Sequence, residues 1–143
     1  MKVTAHIVAP DAATAADWYG LAFGARELSR IPIPGDRVMA VEIEIGDSVI
    51  NIGSEFPEFG ILSPLAIGGT ATVLQINTDD ADALWDQALE AGAEIHQGLA
   101  DTFWGERHGQ LTDPFGHRWN IAQPIRDVPH EEIVAAAAEM FGG

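Results

Sequence analysis

The segment His6-Ile-Val-Ala-Pro-Asp-Ala12 leads into a helix-like run that ends at Phe23-Gly-Ala25, and the same arrangement recurs as Gln75-Ile-Asn-Thr-Asp-Asp-Ala81 with a run that ends at Ala91-Gly-Ala93. Further on, Val49-Ile-Asn-Ile52 recurs as Arg118-Trp-Asn-Ile121 at the same offset. An internal repeat of this length predicts two copies of one supersecondary unit. We therefore expect two strand-helix-strand modules that together form a cup, with equivalent positions of the two copies facing into it.

Composition restricts the class of protein. The chain has 143 residues, of which 47% are hydrophobic, a size that fits one domain with a substantial core. No apolar run is long enough to span a bilayer, and the N-terminus lacks a signal-like segment, so we expect a cytoplasmic protein. The absence of cysteine excludes disulfides and thiolate chemistry. The net charge of −15 argues against nucleic-acid and membrane partners, because such a field repels phosphate groups.

Local signals place the elements of the first module. Asp11 is positioned to cap a helix over 12–23. Residues 38–45 and 48–53 alternate with period two around Gly46-Asp47, which indicates a two-residue hairpin turn. This register places Glu42 opposite Asn51. Pro32, Pro34 and Gly35 indicate a loop before the hairpin.

The second module follows the same order. We expect a strand over 71–77, a helix capped by Asp79 or Asp80, a short strand over 94–96 and a polar, aromatic loop over 101–109. Strands over 110–112 and 117–123 flank the turn Asp113-Pro-Phe-Gly116. Together these signals predict a single domain over residues 1–143, with its first module at 1–55, a linker at 56–69, the second module at 70–124 and a C-terminal helix and tail at 125–143.

The order of one strand, one helix and three strands, given twice, predicts an α+β fold with two tandem βαβββ modules, a curved mixed sheet and a cup-shaped cavity. Alternate residues of a strand face opposite ways. Ile7, Leu74 and Ile76 should therefore face the helices. The positions expected to face the cup are polar for the most part: Thr4, His6, Glu42, Asn51, Val73, Gln75, Asn77 and Asn120. A concave wall with convergent hydrogen-bonding groups is typical of a ligand pocket.

Several motifs carry a resemblance to a known family. They are Asp11-Ala-Ala-Thr-Ala-Ala-Asp-Trp-Tyr19 before Ala22-Phe-Gly-Ala25, Ile45-Gly-Asp-Ser-Val49, and Asp101-Thr-Phe-Trp-Gly-Glu-Arg-His-Gly109 followed by Thr112-Asp-Pro-Phe-Gly-His-Arg-Trp119. With these, the chain resembles the vicinal oxygen chelate superfamily of glyoxalase I, bleomycin-resistance proteins and extradiol dioxygenases, and within it the PhnB-like, glyoxalase-like branch. The resemblance covers nearly the whole chain and implies paired βαβββ modules in a homodimer.

The resemblance also implies where a metal would bind. The superfamily's metal enzymes carry His or Glu on the first and last strand of each module. The last-strand positions here are Asn51 and Asn120; the first-strand positions are Thr4 and Val73 or, with a shift of two residues, His6 and Gln75. An amide oxygen is a weak, neutral ligand for Zn²⁺ or Fe²⁺. We therefore expect no cofactor and no catalytic metal, and a site for Zn, Ni or Fe is disfavoured.

Two residues are candidates for catalysis. His6 is a candidate base, and its alternative role is that of a histidine hydrogen-bonded into a half-buried strand. Glu42 would suit proton transfer if buried in the cup, and otherwise is a solvent-facing carboxylate beside Glu44.

The predicted ligand-binding residues are His6, Asn51, Gln75, Asn77, Trp104, Arg107 and Asn120. Trp104 would stack on a flat ligand and Arg107 would hold an oxygen in its fork. The alternatives are that Trp104 closes the end of the cup and that Arg107 pairs with an acidic side chain. His96, His117 and His130 show no partner spacing and are expected at the surface.

Three functions remain open on these grounds. The favoured one is the binding of a small organic molecule, aromatic or cationic, in the sheet cavity. The second is an enzyme of glyoxalase type, a lyase or isomerase acting on an oxygen-rich substrate through His6 or Glu42 or a divalent metal, with a dioxygenase less favoured. The third is a structural role in which the cup is filled by side chains. Fold alone does not decide among them.

Overall fold

The computed structural model describes residues 1–142. Its elements follow the predicted order of two repeated modules and a final helix. They are β1 (Ala5–Ala9), α1 (Ala12–Phe23), β2 (Arg26–Ile33), β3 (Arg37–Ile45), β4 (Ser48–Ser54), a 3₁₀ turn (Pro57–Phe59), α2 (Pro64–Ile67), β5 (Val73–Asn77), α3 (Ala81–Glu90), β6 (Glu94–Asp101), β7 (Glu106–Thr112), β8 (Arg118–Pro124) and α4 (His130–Phe141). Within this range no helix combines the length and the apolar character needed to cross a membrane.

The two modules have the same topology. The first sheet has the strand order β1-β4-β3-β2 and the second has β5-β8-β7-β6. In each sheet the first strand of the module pairs in parallel with the last, and the other pairs are antiparallel. This confirms the α+β class and the tandem βαβββ units.

The hairpin between β3 and β4 has the predicted register. Ile45 pairs with Ser48, and Glu42 pairs with Asn51. One hairpin face is buried in the core, as its period-two pattern predicts. Its members are Val41, Ile43, Ile45, Ile50 and Ile52.

The starts of α1 and α3, the helices of the two modules, repeat as well. The side chain of Asp11 accepts from the backbone N–H of Ala13 at the start of α1, and Asp80 accepts from Ala83 at the start of α3. A second acceptor comes from the end of each module's last strand. The Ser54 hydroxyl accepts from the N–H of Ala12, and the Gln123 side chain accepts from that of Ala81, each at 2.9 Å. These bonds satisfy N–H groups that a helix leaves unpaired, and they fix each helix to its own sheet.

The core lies where the helices are held between the two sheets. Tyr19 and Phe23 of α1 pack against Trp119 of β8, with ring centroids 5.4 and 4.9 Å apart. The α1 helix also contacts β3 and β4 of its own module. A helix of the first module thus shares its aromatic side chains with the second, so the modules fold around one core.

The largest departures from the predicted boundaries concern β2, β6 and β7. Pro32, expected in a loop, lies inside β2. This is tolerated because β2 is an edge strand and its register shifts beside Pro32. β6 runs on to Asp101, well past His96. The expected loop over 101–109 is a short turn instead, because Glu106–Gly109 pair with β8. Cross-strand pairing sets these boundaries, and this pairing cannot be predicted from the local composition of the chain.

The two sheets do not join into one continuous curved sheet. β1 and β5 are the edge strands that meet between the modules, and no backbone hydrogen bond connects them within residues 1–142. The start of β1 lies near the end of β5, since Val3 and Thr78 line one cavity, while Val8 and Thr72 line another. We call this boundary the seam. We call the face of each sheet that points away from the helices its outer face.

Candidate functional site

Four side-chain amides form a hydrogen-bonded row on the outer face of the second module. Gln110 donates to Asn120 at 2.9 Å, Asn120 donates to Gln75 at 3.3 Å, and Gln75 donates to Asn77 at 3.0 Å. The row crosses β7, β8 and β5, because Gln110, Asn120 and Gln75 are register partners. We call this row the amide ladder. Three of its members were predicted ligand-binding residues; Gln110 was not.

The equivalent row of the first module has different chemistry. His6, Asn51 and Glu42 are register partners on β1, β4 and β3. Within the described chain no hydrogen bond joins them to one another. Glu42 and Asn51 are half-buried and His6 is exposed. The expected row therefore exists, with an imidazole and a carboxylate on either side of an amide.

The His6 ring lies against the backbone of β4. A Cβ built on Gly53 would stand 2.9 Å from Nε2 of His6, closer than real Cβ atoms approach another atom. Gly53 is therefore the residue that allows the ring to occupy this position. Its equivalent in the second module is Ala122, which pairs with Asn77 as Gly53 pairs with Val8.

An aromatic cluster borders the amide ladder. Trp104 packs edge-on against His108, with centroids 5.5 Å apart, and against Phe103 at 4.9 Å. Its indole N–H donates to Glu106 at 2.5 Å. His108 lies on β7 two residues before Gln110, so both side chains are on the same face. The sequence placed His108 in the polar, aromatic loop over 101–109 without a role of its own; its two-residue spacing from Gln110 is a usable signal once β7 is recognised as a strand.

Arg107 lies on the opposite side of β7 from the ladder. Its guanidinium forms ion pairs with Asp82 of α3 and Asp101 of β6, each at 3.0 Å. This matches the alternative considered for Arg107, pairing with acidic side chains, and the arrangement turns the residue toward the helices. Its predicted role in ligand binding has no support in this geometry.

The ligand set expected for a superfamily metal does not fit the donors present. Asn51, Asn120 and Gln75 are neutral amides, and His6 is the one imidazole among the candidate first- and last-strand positions. Among residues 1–142 no three His, Cys, Asp or Glu side chains are grouped as a metal site. Amide oxygens suit hard cations far better than Zn²⁺ or Fe²⁺. This donor set therefore gives no basis for a metal-assisted step.

Asp113 has a larger role than its turn motif indicated. Its carboxylate is 4% exposed and accepts from the Tyr19 hydroxyl at 2.5 Å, from the Trp119 indole at 2.8 Å, and from two backbone N–H groups. Burial, followed by the nearby negative charge of Asp113, raises the pKa of Tyr19 well above its usual value. The turn of the second module thereby anchors the helix of the first.

His117 also joins the modules, contrary to the expectation of a surface group. Its Nε2 lies 2.7 Å from the carbonyl oxygen of Val8, across the seam. His96, by contrast, is exposed and accepts from Arg118. His130 is exposed at the start of α4.

Comparison with known proteins agrees with this geometry. The family model described as the glyoxalase/bleomycin resistance protein/dioxygenase superfamily matches residues 3–121. The chain belongs to this superfamily. A protein of Mycobacterium bovis, Mb0911c, is 36% identical over 141 residues, which are 96% of this chain and 93% of the relative.

Several solved structures share the fold. The PhnB protein from Bacillus cereus superposes with a TM-score of 0.64 at 14% identity, over 86% of this chain and 99% of its own. TnmS3, described as an antibiotic binding protein from Streptomyces sp. CB03234, has a TM-score of 0.59 at 22% identity, over 87% and 97%. At these identities the likeness concerns the fold. The family-model match confirms the glyoxalase-like resemblance, and a PhnB protein is among the structures of similar fold.

Proposed function

We propose that this superfamily member binds a small, flat organic molecule, aromatic or cationic, on the outer face of the second module, without a catalytic metal. The observation that carries the proposal is the amide ladder beside Trp104 and His108. It combines neutral hydrogen-bonding groups with an aromatic surface, the pairing that small-molecule sites use to fix orientation and supply contact area.

The ladder is suited to a neutral polar edge of a ligand. Each primary amide has two N–H donors and an oxygen with two lone pairs. The bonds within the row use part of this capacity, so donors and acceptors remain for a ligand while the side chains are held in place. Because the row is already ordered, binding would lose less side-chain entropy than it would at free amides.

The net charge of the protein favours a cationic ligand over an anionic one. The support is the net charge of −15, which is a property of the whole chain; Glu42 and Glu44 add to it on the outer face of the first module, not the second. Such a field raises the local concentration of cations. The antibiotic binding described for TnmS3, a protein of the same fold, supports small-molecule binding as a use of this scaffold.

Trp104 provides a direct test. It is 36% exposed, whereas Trp18, Trp85 and Trp119 are each at most 9% exposed. Titration with proflavine, a flat aromatic cation, and with bleomycin should quench tryptophan fluorescence saturably. The variant Trp104→Phe should lose this response, and Gln75→Ala should weaken binding about tenfold or less, as expected for one neutral hydrogen bond. Quenching that persists in Trp104→Phe would contradict the proposed location.

The absence of a catalytic metal is part of the proposal and has its own test. The protein is purified without chelator and its metal content is measured by elemental analysis. We expect well under one equivalent of Zn, Ni or Fe per chain. A stoichiometric metal, retained by wild-type protein and lost on His6→Gln, would contradict the proposal and identify His6 as a ligand.

We propose further that the protein is a homodimer in which a second copy covers the outer faces. Support comes from Leu28, Ile31 and Met39, large apolar side chains left exposed on β2 and β3 of the first module; Ile31 pairs with Ala40, which shares the outer face with Glu42. Exposed apolar patches are a mark of association surfaces. Light scattering coupled to size exclusion should give twice the 15.3 kDa chain mass. A monomer at all micromolar concentrations would oppose this proposal without affecting the fluorescence test.

An enzymatic alternative is favoured by one observation, the row of His6, Asn51 and Glu42. With strands spaced by 4.7–4.9 Å, His6 and Glu42 stand roughly 10 Å apart, too far for a direct bond but able to flank a small substrate. A base at one end and an amide at the centre could remove a proton and hold the resulting oxyanion. Exchange of solvent deuterium into 2-oxoaldehyde and 2-hydroxyketone compounds, lost in both His6→Gln and Glu42→Gln, would establish this function.

A further inference from the structure

We propose that the cleft at the seam is a second binding site, which takes a small carboxylate with an apolar body. The cleft has a volume of about 230 Å³ and lies between the edge strands β1 and β5. It is separate from the amide ladder and shares only His6 with the candidate residues above. The proposal goes beyond the function proposed for the outer face and does not depend on it.

The charges around the cleft are unlike those of the rest of the protein. The chain has 22 acidic residues, yet none lines the cleft, whereas His6, His117 and Arg118 do. Arg118 donates from Nη1 to Nε2 of His96 at 2.8 Å. Within residues 1–142 no carboxylate oxygen lies within 4.0 Å of its guanidinium, in contrast to Arg26, Arg30 and Arg107. An uncompensated cation at a cleft without acids favours an anionic ligand group.

Hydrogen-bond donors are available at the same place. The Nε2–H of His117 is already donated to the Val8 carbonyl at 2.7 Å, so the free donors are those of Thr70 and Arg118. The Thr70 hydroxyl accepts from the N–H of Thr72 at 3.2 Å, which leaves its own proton free for a ligand oxygen. Nε and Nη2 of Arg118 have no partner in the described chain. A guanidinium with free N–H groups binds a carboxylate in forked geometry, and such charge-assisted bonds are among the stronger ones.

The other wall of the cleft is apolar and selects the body of the ligand. It is formed by Leu62, Pro64 and Ile67 of the inter-module linker and by Leu74 of β5. Leu62 and Ile67 remain substantially exposed. An inorganic anion would leave these side chains in water, whereas an aromatic or short aliphatic carboxylate would cover them. The chemical class is therefore a monocarboxylate with a compact apolar group.

The experiment is an NMR titration of the ¹⁵N-labelled full chain with benzoate, with acetate and inorganic phosphate as comparison ligands. Benzoate should shift the amide signals of Val8, Thr72 and His117 saturably, with acetate and phosphate binding at least tenfold more weakly. Arg118→Gln should weaken benzoate binding about tenfold or more. Arg126→Gln is the matched control: it makes the same charge change outside the cleft, where Arg126 contacts the Phe103 carbonyl.

Each outcome decides the proposal. Shifts at the cleft that depend on Arg118 and not on Arg126 support it. It is overturned if benzoate shifts other residues, if both arginine variants weaken binding equally, or if phosphate binds as well as benzoate. The result is also separable from the outer-face proposal, since Trp104→Phe should leave benzoate binding unchanged. Benzoate binding without proflavine binding would retain this inference and remove the other.

Discussion

The outer faces of the two modules occupy equivalent positions with different chemistry. In the second module the row Gln110, Asn120 and Gln75 consists of amides that are bonded to one another. In the first module the equivalent row contains Glu42, Asn51 and His6, and no hydrogen bond connects them within residues 1–142. The duplicated backbone thus presents one row that is preorganised and neutral and one that is unconnected and titratable.

This difference indicates a division of roles. A bonded row of neutral groups keeps its geometry over a wide range of pH, which suits recognition of a ligand by shape and hydrogen bonding. An imidazole and a carboxylate can transfer protons, but here no hydrogen bond to Asn51 orients them within residues 1–142. The repeat therefore preserves where side chains stand, while substitution in each copy decides what they can do.

The hairpin turns provide the largest expected contrast between the modules. Asp113→Ala would leave the Tyr19 hydroxyl, the Trp119 indole and two backbone N–H groups without their buried acceptor, and should cost about 3–4 kcal/mol of unfolding free energy. Asp47→Ala, in the exposed turn of the first module, should change stability by less than about 0.5 kcal/mol. Urea denaturation of both variants measures the difference, and equal losses would mean that the Asp113 network does not join the modules.

Alkaline titration tests the same network through its phenol. Tyr19 is the one tyrosine of the sequence, so tyrosinate absorbance reports it alone. Because its pKa is raised in the folded state, the unfolded chain loses the proton first as pH rises above about 10, and stability must fall from there upward. Tyr19→Phe should lack this added alkaline loss, although it gives up a bond to a carboxylate at neutral pH. Ordinary titration of folded Tyr19 near pH 10 would show that the phenol is not buried as described.

These contrasts also show which features could be predicted from sequence. The repeat predicted both modules, the hairpin register and the outward positions of Asn51 and Asn120, because period and turn chemistry are local. Gln110 was missed because the turn at 113–116 is longer than Gly46-Asp47, which displaces the repeat by one residue on β7. The roles of Asp113, His117 and Arg107 depend on packing between distant elements, and no local pattern contains that information.

The next comparison is between Gly53→Ala in the first module and Ala122→Gly at the equivalent position of the second. A methyl group on Gly53 would meet the His6 ring at 2.9 Å, so Gly53→Ala should displace this exposed ring with little change in stability. Ala122→Gly should instead cost about 0.5–1 kcal/mol, because glycine in a strand loses more entropy on folding, and should leave His6 unmoved. ¹H–¹³C spectra of the His6 ring distinguish the variants. An unchanged His6 signal in Gly53→Ala would show that the ring does not lie over β4.

The smallest expected effect concerns the ladder itself. Asn120→Ala removes the bonds to Gln110 and Gln75, whereas the Asn51 side chain forms no hydrogen bond within residues 1–142, so the first variant should cost about 0.5–1 kcal/mol more unfolding free energy than Asn51→Ala. A double-mutant cycle separates this from the common loss of the side chain: Asn120→Ala with Gln75→Ala should show coupling of about 0.5 kcal/mol, and Asn51→Ala with His6→Ala close to none. The expected loss of stability is small because the ladder side chains are exposed or half-buried, so water replaces much of each lost hydrogen bond. Equal coupling in both modules would mean that the ladder is no more ordered than the row of His6, Asn51 and Glu42, and the case for a preorganised neutral site would fail with it.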